Sequence, residues 1–329
     1  MTDPREALSA WAIPDPSAIR PTQRGTNNRS FVVETPTGAY FLRLSPHAGD
    51  LGRVRHEHTL LRRLHEAALS FAVPRPLVTG TGETYVVRDG VAMTLFPIIA
   101  GDHPEAGNHA HATACGEALG ELDAALATID LGPTPPGMPR FEDLPHAGPL
   151  LEAGIALLHR APAGEAVVPR LRELLGELVA MIPGLCAGLP AQLIHGDYYR
   201  SNVLMRGGRV SGVLDFEFSS SGPRAMELAV AVRGFSSADW GADPFWRVVE
   251  ALAAGYRRRV ALAPAEIAAL PAMLLLREAT SWVHRVGRYR RGLATPDDIA
   301  DRAHDLLRLD NHLRAHGTGL VRRVERAAP

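Results

Sequence analysis

The sequence predicts an α+β protein with two lobes, a small β-sheet lobe followed by a larger helical lobe. Short β-like runs separated by turn residues are concentrated in residues 1–97. Residues 98–329 carry long apolar patterns with a helical period, interrupted by a single hairpin. A block of strands followed by a block of helices favours an α+β arrangement over alternating βαβ units. A chain of 329 residues, 46% of them hydrophobic, is long enough for two lobes that share a cleft.

The N-terminal part is predicted to contain a short helix, five strands and one longer helix. The longer helix carries apolar residues near a period of 3.6 residues and ends at the proline-rich segment 73–76. Asp89 and Gly90 form a strong hairpin signal between two of the strands. Four strands and the longer helix have clear bounds, at residues 31–34, 39–44, 84–88, 91–96 and 49–67 respectively.

The C-terminal part is predicted to be mostly helical. Its one hairpin spans residues 203–216 and turns at Gly207 and Gly208. The basic segment 321–329 is expected to fray, as chain ends commonly do. Periodic apolar patterns predict helices at residues 111–129, 149–159, 169–182, 224–234, 244–262, 264–288 and 296–315.

Composition argues against several classes of function. The net charge of −1 gives no overall basic bias toward nucleic acid. No apolar run reaches the length of a membrane span, and the N-terminus lacks the basic and apolar regions of a signal peptide. We therefore expect a soluble cytoplasmic protein without a nucleic-acid or membrane partner. Cys115 and Cys186 lack metal-binding or redox spacing and are expected to be small buried residues.

The chain contains no lysine, so its 35 side chains of the Lys and Arg class are all arginine. A GC-rich genome explains this bias, but the chemical consequence does not depend on its origin. A lysine Schiff base and a P-loop with its lysine are both excluded. Any side-chain cation that binds phosphate must therefore be arginine or histidine.

Residues suited to chemistry are concentrated in the motif HGDYYRSN, at 195–202, and in the motif DFE that follows the predicted hairpin. A tight turn would bring Asn202 and Asp215 to one edge, where carboxylate and amide oxygens can hold a hard cation. Asp197 could accept a hydrogen bond from a substrate hydroxyl, and His195 is expected to brace the loop. Phosphoryl transfer needs this set of groups. Ordinary turn and cap chemistry at each residue is the alternative.

The two motifs resemble those of the aminoglycoside phosphotransferase family of the protein-kinase-like superfamily, which includes aminoglycoside, choline and type II homoserine kinases. The resemblance implies a bilobal protein-kinase-like fold, with a nucleotide-binding lobe in residues 1–97 and a catalytic and acceptor-binding lobe in residues 98–329. It implies ATP and Mg²⁺ as cofactors. It also implies that Asp197 is the catalytic aspartate and that Asn202 and Asp215 are metal ligands.

The nucleotide site resembles the same family. Arg43 falls where this superfamily usually has a phosphate-contacting lysine, and Glu57 in the following helix is its expected partner; an exposed strand-edge arginine is the alternative. In the segment that resembles the inter-lobe linker, the Pro97 carbonyl and the Ile99 amide are expected to hold adenine. Segment 24–33 resembles the phosphate-covering loop, with a plain hairpin turn as the alternative. The residues of this loop assigned to the phosphates are Gly25, Thr26, Asn27 and Asn28.

Two glutamates near the motifs carry weaker signals. Glu227 stands where the family usually has an aspartate that braces the catalytic loop, and its longer side chain puts that brace in question. Glu217 is expected to add a water-mediated contact to the metal, with an exposed strand-end residue as the alternative.

The acceptor side is predicted from charge. Its helices are rich in arginine and poor in acids, which disfavours a polycation and tolerates a carboxylate; pairing with acids such as Glu278 is the alternative. Segment 276–286 loosely resembles a late helix of type II homoserine kinases. Homoserine or a similar small hydroxyl-bearing metabolite is thus the first expectation, an aminoglycoside or choline-type acceptor the second, and a nucleotide-binding pseudoenzyme the third. The oligomeric state is left open. The arginines are Arg233, Arg257, Arg258, Arg259, Arg277, Arg285, Arg288, Arg290 and Arg291.

Overall fold

The computed structural model describes residues 4–22, 28–45, 51–135, 140–161, 164–236 and 243–327. Strands come first and helices follow, as the sequence predicts, and this order confirms the α+β class. Within the described ranges, no helix is both long enough and apolar enough to cross a bilayer.

Five antiparallel strands form the sheet of the N-terminal part, in the order β1-β2-β3-β5-β4. They are β1 (Ala18–Pro21), β2 (Arg29–Thr35), β3 (Gly38–Ser45), β4 (Val86–Arg88) and β5 (Val91–Pro97). Alternate residues such as Val33, Leu42 and Leu95 are buried in one cluster with the helix α1 (Pro4–Leu8). The four strands with predicted bounds are confirmed, and β1 is the fifth.

Helix α2 (Leu51–Glu66) connects the sheet to the rest of the protein. Its residues Leu60, Leu61 and Leu64 are buried in the large core of the helical part, as is Phe96 of β5. The two parts therefore share apolar packing. The boundary between lobes at residue 97 stays a prediction.

Seven helices of the described chain build the C-terminal part around one continuous core. They are α3 (His109–Leu126), α4 (Gly148–Leu158), α5 (Val168–Ala187), α6 (Ala225–Phe235), α7 (Asp243–Arg257), α8 (Pro264–Arg290) and α9 (Pro296–Arg326). Helices α3 and α7 pack backbone to backbone. A Cβ atom on Gly116 would lie 2.1 Å from Leu252 O, and one on Gly255 would lie 2.0 Å from Thr113 O. Larger residues at these two glycines would force the helices apart.

The predicted hairpin is present as β7 (Val203–Arg206) and β8 (Arg209–Val213). It turns at Gly207 and Gly208, whose φ angles are +57° and +75°. A two-residue turn with both residues in this region matches the right-handed twist of the strands, and glycine adopts it without strain.

Two short strands were missed by the sequence analysis. β6 (Ala191–Ile194) leads into His195 and pairs antiparallel with β9 (Ser220–Pro223), which follows the DFE motif. Each has four residues, and β9 is made of small residues and proline, so neither shows the alternation that marks a strand. This pairing anchors both ends of the segment that contains the hairpin.

The prediction that segment 321–329 frays is wrong for its described residues, because α9 continues to Arg326. Leu320 and Val324 are buried on its inner face. Arg257 Nη1 also donates hydrogen bonds to three carbonyl oxygens at the end of the helix, at 2.9 Å to Val324, 2.8 Å to Glu325 and 2.8 Å to Ala327. A charged donor from α7 thus satisfies carbonyls that have no partner within α9.

We expect Arg257→Ala to loosen the end of α9, because these three carbonyls would lose a charged donor. Exposed carbonyls can bind water instead, so the free energy of unfolding should fall by only about 1–2 kcal/mol. Urea unfolding and amide hydrogen exchange across residues 320–327 measure the effect. Arg258→Ala is the matched control, since its exposed ion pair with Glu117 is worth under about 1 kcal/mol. Equal exchange protection in the two variants would contradict the role of Arg257.

Candidate active site

The two ends of the hairpin meet as predicted. Val203 pairs with Val213, and Leu214 N donates to Asn202 O at 2.8 Å, which continues the ladder one step beyond the strands. Asn202 and Asp215 therefore lie at the same edge. The φ angle of Asp215 is +64°, a region that a non-glycine residue occupies rarely and at some cost in strain.

His195 connects the loop that contains Asp197 to the end of the hairpin. It is fully buried; its Nδ1 accepts a hydrogen bond from Asp197 N at 3.1 Å, so Nε2 carries the proton and donates to Leu214 O at 3.0 Å. Burial lowers the pKa of His195 to about 4. The ring is therefore neutral near pH 7, and both of its nitrogens are used to hold the loop against the hairpin, as the sequence analysis expected.

Glu227 of α6 supplies the second brace in spite of its longer side chain. Its Oε1 accepts a hydrogen bond from Gly196 N at 2.6 Å. Gly196 has a φ angle of +77°, and a Cβ atom there would lie 3.0 Å from Phe218 O, so glycine is required for this approach. Burial raises the pKa of Glu227 to about 7.

Asp197 is held by two side chains. Asn202 Nδ2 donates to Asp197 Oδ2 at 2.9 Å and to the Asp197 carbonyl at 2.9 Å, while Arg277 Nη2 of α8 donates to Oδ1 at 3.3 Å. The Arg277 guanidinium lies over the Tyr199 ring, 5.1 Å from its centroid. Burial raises the pKa of Asp197, and the Arg277 charge and the Asn202 hydrogen bond lower it. With its nitrogen directed at Asp197, Asn202 keeps its side-chain oxygen for another ligand.

Asp215 lies among other carboxylates. Burial and the neighbouring Glu217 raise its pKa well above the usual range, Arg43 opposes this shift, and Asp197 adds to it. A divalent cation would relieve this repulsion, and oxygen donors suit Mg²⁺. Among the residues that the structure describes, no three His, Cys, Asp or Glu side chains are grouped to hold a metal.

Arg43 and Glu57 form the predicted pair across β3 and α2. Arg43 Nη1 donates to Glu57 Oε1 at 2.9 Å, and Nη2 donates to Oε2. Both side chains are buried. Burial alone would lower the pKa of Arg43, but Glu57, Glu217 and Asp215 raise it overall, so the guanidinium stays charged. Its Nε has no hydrogen-bond partner among the described residues.

These groups line one cavity of about 740 Å³ between the sheet and the hairpin. Every predicted site residue that the structure describes contributes to it, namely Asn28, Arg43, Glu57, Pro97, Ile99, Asp197, Asn202 and Asp215. Gly25, Thr26 and Asn27 lie outside the described residues. Its volume falls within the range of 300–1,000 Å³ typical of ligand and cofactor sites.

The contact of Asn28 with Glu217 was missed from the sequence. Asn28 Nδ2 donates to Glu217 Oε2 at 2.6 Å, whereas the sequence analysis assigned Asn28 a backbone role. The bond joins the residue before β2 to the DFE motif. No local pattern signals it, because the two residues are 189 positions apart.

A second cavity, of about 180 Å³, adjoins Asp197 and is lined on one side by α8. Arg277, Arg285 and Arg288, three of the arginines singled out in the sequence, line this cavity. Others serve elsewhere: Arg233 pairs with Glu278, and Arg258 and Arg259 pair with Glu117. Arg277, Arg285 and Arg288 are separated by eight and three positions, and this spacing on one helical face is a signal that could have identified them.

Known proteins resemble this chain over most of its length. The model of the phosphotransferase enzyme family matches residues 18–270. A homoserine kinase of Pseudomonas aeruginosa (strain UCBPP-PA14) is 31% identical over 291 residues, which cover 86% of this chain and 86% of the relative.

Solved structures share the fold. The amicoumacin kinase hAmiN in complex with AMP-PNP, Ca²⁺ and Ami superposes with a TM-score of 0.70 at 13% identity, over 92% of this chain and 91% of the other. The microcompartment-associated aminopropanol kinase superposes with a TM-score of 0.64 at 20% identity, over 95% and 97%. The bilobal protein-kinase-like fold expected from the sequence is confirmed.

The brace at Glu227 predicts a dependence of stability on pH. Its folded-state pKa of about 7 lies above the usual glutamate value of about 4.3, so the folded protein holds this proton more tightly than the unfolded chain. The contribution of Glu227 to the free energy of unfolding is therefore fully present below the usual value and is lost as the pH rises through about 7. Glu227→Gln keeps an oxygen for Gly196 N but cannot ionise. We expect it to gain stability relative to the wild type between about pH 5 and pH 8.

Urea unfolding of both proteins at the two pH values measures this difference. Glu83→Gln, at an exposed position, is the control and should show no such trend. A difference between Glu227→Gln and the wild type that stays constant with pH would overturn the assignment.

Proposed function

The chain belongs to the phosphotransferase enzyme family, and we propose that it transfers the γ-phosphoryl group of Mg-ATP to the hydroxyl of homoserine or a similar short hydroxy amino acid. That it is a small-molecule kinase acting on a hydroxyl group follows from the family match and the homoserine kinase relatives. The observation that supports the acceptor is the position of Asp197. It lies between a cavity of nucleotide size and a small cavity lined by arginines.

The charge of the small cavity favours a short anionic or zwitterionic acceptor over a polycation. Three guanidinium groups face it, and the carboxylate of Asp197 already pairs with one of them. An aminoglycoside or a choline-type cation would be repelled there. Its volume of about 180 Å³ is also below that of typical drug-sized pockets, which suits a metabolite with few heavy atoms.

We assign Asp197 the role of orienting the acceptor and taking its proton. The hydroxyl oxygen forms a bond to the γ-phosphorus as the bond from that phosphorus to the β–γ bridging oxygen breaks, and ADP leaves. The hydroxyl proton passes to the Asp197 carboxylate. Arg277 and Asn202 hold both carboxylate oxygens, so the proton acceptor is already oriented before the substrate binds.

The nucleotide would occupy the larger cavity. Arg43, held by Glu57, would direct its remaining N–H donors at phosphate oxygens. The Pro97 carbonyl and the Ile99 amide would hold adenine. Residues 25–28 would cover the phosphates with backbone groups.

Asn202 and Asp215 would hold Mg²⁺, with the carboxylate of Asp215 and the side-chain oxygen of Asn202 as donors. The crowding of acids around Asp215 fits a site that carries a cation. When bound, Mg²⁺ neutralises charge on the phosphate oxygens. Glu217 is close to both Asp215 and Asn28 and would contact the metal through a water molecule.

We expect Asp197→Asn to lower kcat for homoserine phosphorylation by about 100- to 10,000-fold, because the amide cannot take the proton. Affinity for AMP-PNP and Mg²⁺ should change by less than about threefold, since the nucleotide ligands stay in place. Turnover is measured by ADP release together with mass detection of the phosphorylated product. The exposed substitution Asp301→Asn is the control.

Near-wild-type turnover in Asp197→Asn would overturn the catalytic role of Asp197. Wild-type protein that phosphorylates choline or an aminoglycoside but not homoserine would overturn the acceptor and leave the kinase assignment intact. Absence of turnover with every acceptor would instead favour a nucleotide-binding pseudoenzyme.

We expect Asp215→Asn to lose Mg²⁺-dependent nucleotide binding while making the protein without ligands more stable near pH 7. The variant removes a carboxylate whose pKa is raised by burial and by Glu217, and Asn tolerates the positive φ angle. Calorimetric titration of AMP-PNP with and without Mg²⁺, and urea unfolding without nucleotide, give the two readouts. Unchanged Mg²⁺-dependent affinity would rule out Asp215 as a metal ligand.

A further inference from the structure

Helix α8 presents a row of three arginines and one histidine to the small cavity beside Asp197. Arg277, His284, Arg285 and Arg288 all line this cavity, together with Ser281. Steps of three or four residues keep these positions on one face of the helix. Helical side chains lean toward the N-terminus of their helix, so Arg285 and Arg288 reach back toward Arg277 and Asp197.

Like charges lie close together in this row. Burial lowers the pKa of Arg288, and the charges of Arg285 and Arg291 lower it further. His284 shows the same effect: burial and the surrounding arginines lower its pKa to about 4. Asp298 lies near enough to Arg285 and Arg288 for them to lower its pKa, but it is bound by Thr295 at the start of α9. Repulsion within the row would be relieved by an anion in the cavity.

This anion is not the phosphate chain of the nucleotide. Neither Arg285 nor Arg288 lines the cavity of about 740 Å³ that contains Arg43, Asn202 and Asp215. They lie on the other side of Asp197, where the acceptor must approach for its hydroxyl to reach the catalytic carboxylate. A group bound by Arg285 and Arg288 therefore belongs to the acceptor.

Asp197, Arg285 and Arg288 all line the same cavity of about 180 Å³. Phe218 and His284, whose rings meet edge to face with centroids 5.8 Å apart, line both this cavity and a neighbouring one of about 650 Å³. The two cavities are therefore neighbours that share these side chains. The anion and the reacting hydroxyl must thus be separated by only a few bonds.

The lining offers no second acid to bind an ammonium group. Among the described residues of this cavity, Asp197 is the one carboxylate. Its oxygens are held by Arg277 and Asn202 and face the reacting hydroxyl. An acceptor with an α-amino group would therefore gain no ion pair over one that carries a hydrogen atom there. A carboxylate, in contrast, would contact two guanidinium groups.

We propose that Arg285 and Arg288 bind the carboxylate of the acceptor, and that the site selects short hydroxy acids by this group without requiring an α-amino group. The inference rests on the proposed transfer to a hydroxyl and redefines its substrate class as short hydroxy acids, with or without an α-amino group. Arginine suits this task because its planar fork matches the two oxygens of a carboxylate.

Three acceptors that differ by one group each test the proposal with Mg-ATP. They are homoserine, γ-hydroxybutyrate, which lacks the amino group, and the aminopropanol that is homoserine without its carboxylate. We expect kcat/KM for γ-hydroxybutyrate within about tenfold of homoserine, and that for the amino alcohol lower by about 100-fold or more, as for loss of a charged hydrogen-bonded group. An amino alcohol that matches homoserine would overturn the proposal.

Arg285→Gln and Arg288→Gln test the residues. Each should raise KM for homoserine and γ-hydroxybutyrate by roughly 10- to 100-fold, change kcat by only a few fold, and leave kcat/KM for the amino alcohol nearly unchanged. A merely structural role would affect all three acceptors equally. Arg290→Gln, exposed on the same helix, is the control. Arg288 also donates to Leu293 O. Arg285→Gln is therefore the variant that should disturb the fold less.

A binding measurement separates failure of the proposed function from failure of the proposed carboxylate site. Calorimetric titration of γ-hydroxybutyrate into wild-type protein with AMP-PNP and Mg²⁺ does not depend on turnover of homoserine. Binding that is lost in Arg285→Gln and kept in Arg290→Gln would support the carboxylate site even if homoserine were not phosphorylated. Binding that is equal in both variants, or undetectable at millimolar concentration in the wild type, would overturn it.

Discussion

The antiparallel pairing of β7 with β8 is the constraint on which the site depends. It brings Asn202 and Leu214 into backbone contact and so places Asp215 beside Asn202. Because strand residues alternate between faces, a slip of one residue would move these groups to opposite sides. His195 locks this register, since one of its nitrogens binds the hairpin and the other binds the catalytic loop. The loop and the hairpin therefore behave as one unit.

Charge is balanced from two sides of this unit. Burial raises the pKa values of Asp197 and Asp215, nearby Glu217 raises both further, and Asp197 adds to the shift of Asp215. Arg43 approaches from the sheet and Arg277 from α8. Arginine at both places is suited to the task because it can bind a carboxylate and keep a further donor for another anion. Arginine can take the place of lysine at position 43, because Arg43 binds both carboxylate oxygens of Glu57.

Local spacing decided what the sequence could predict. Asn202 and Asp215 were predictable because a two-residue turn determines the register of a hairpin. The pairing of Arg43 with Glu57 was expected from the resemblance, which places Arg43 at the superfamily's phosphate-contacting position, and from the position of Glu57 in the helix that follows. The contact of Arg277 with Asp197 spans 80 positions and depends on how α8 packs, which no local pattern encodes. The ordered end of α9 could not be predicted for the same reason, because Arg257 on another helix stabilises it.

Helices α6 and α8 position the catalytic loop jointly. Glu227 on α6 holds Gly196, and Arg277 on α8 holds Asp197. Ion pairs join the two helices at both ends: Arg224, the residue before α6, binds Glu266 of α8 with distances of 3.0 and 2.6 Å, and Arg233 pairs with Glu278 at 3.0 Å. Arg285 and Arg288 lie on α8 after Glu266 and Glu278, the two residues of this helix that form these ion pairs. The proposed acceptor contacts there could therefore change without moving Asp197, which would separate the choice of substrate from the chemistry of transfer.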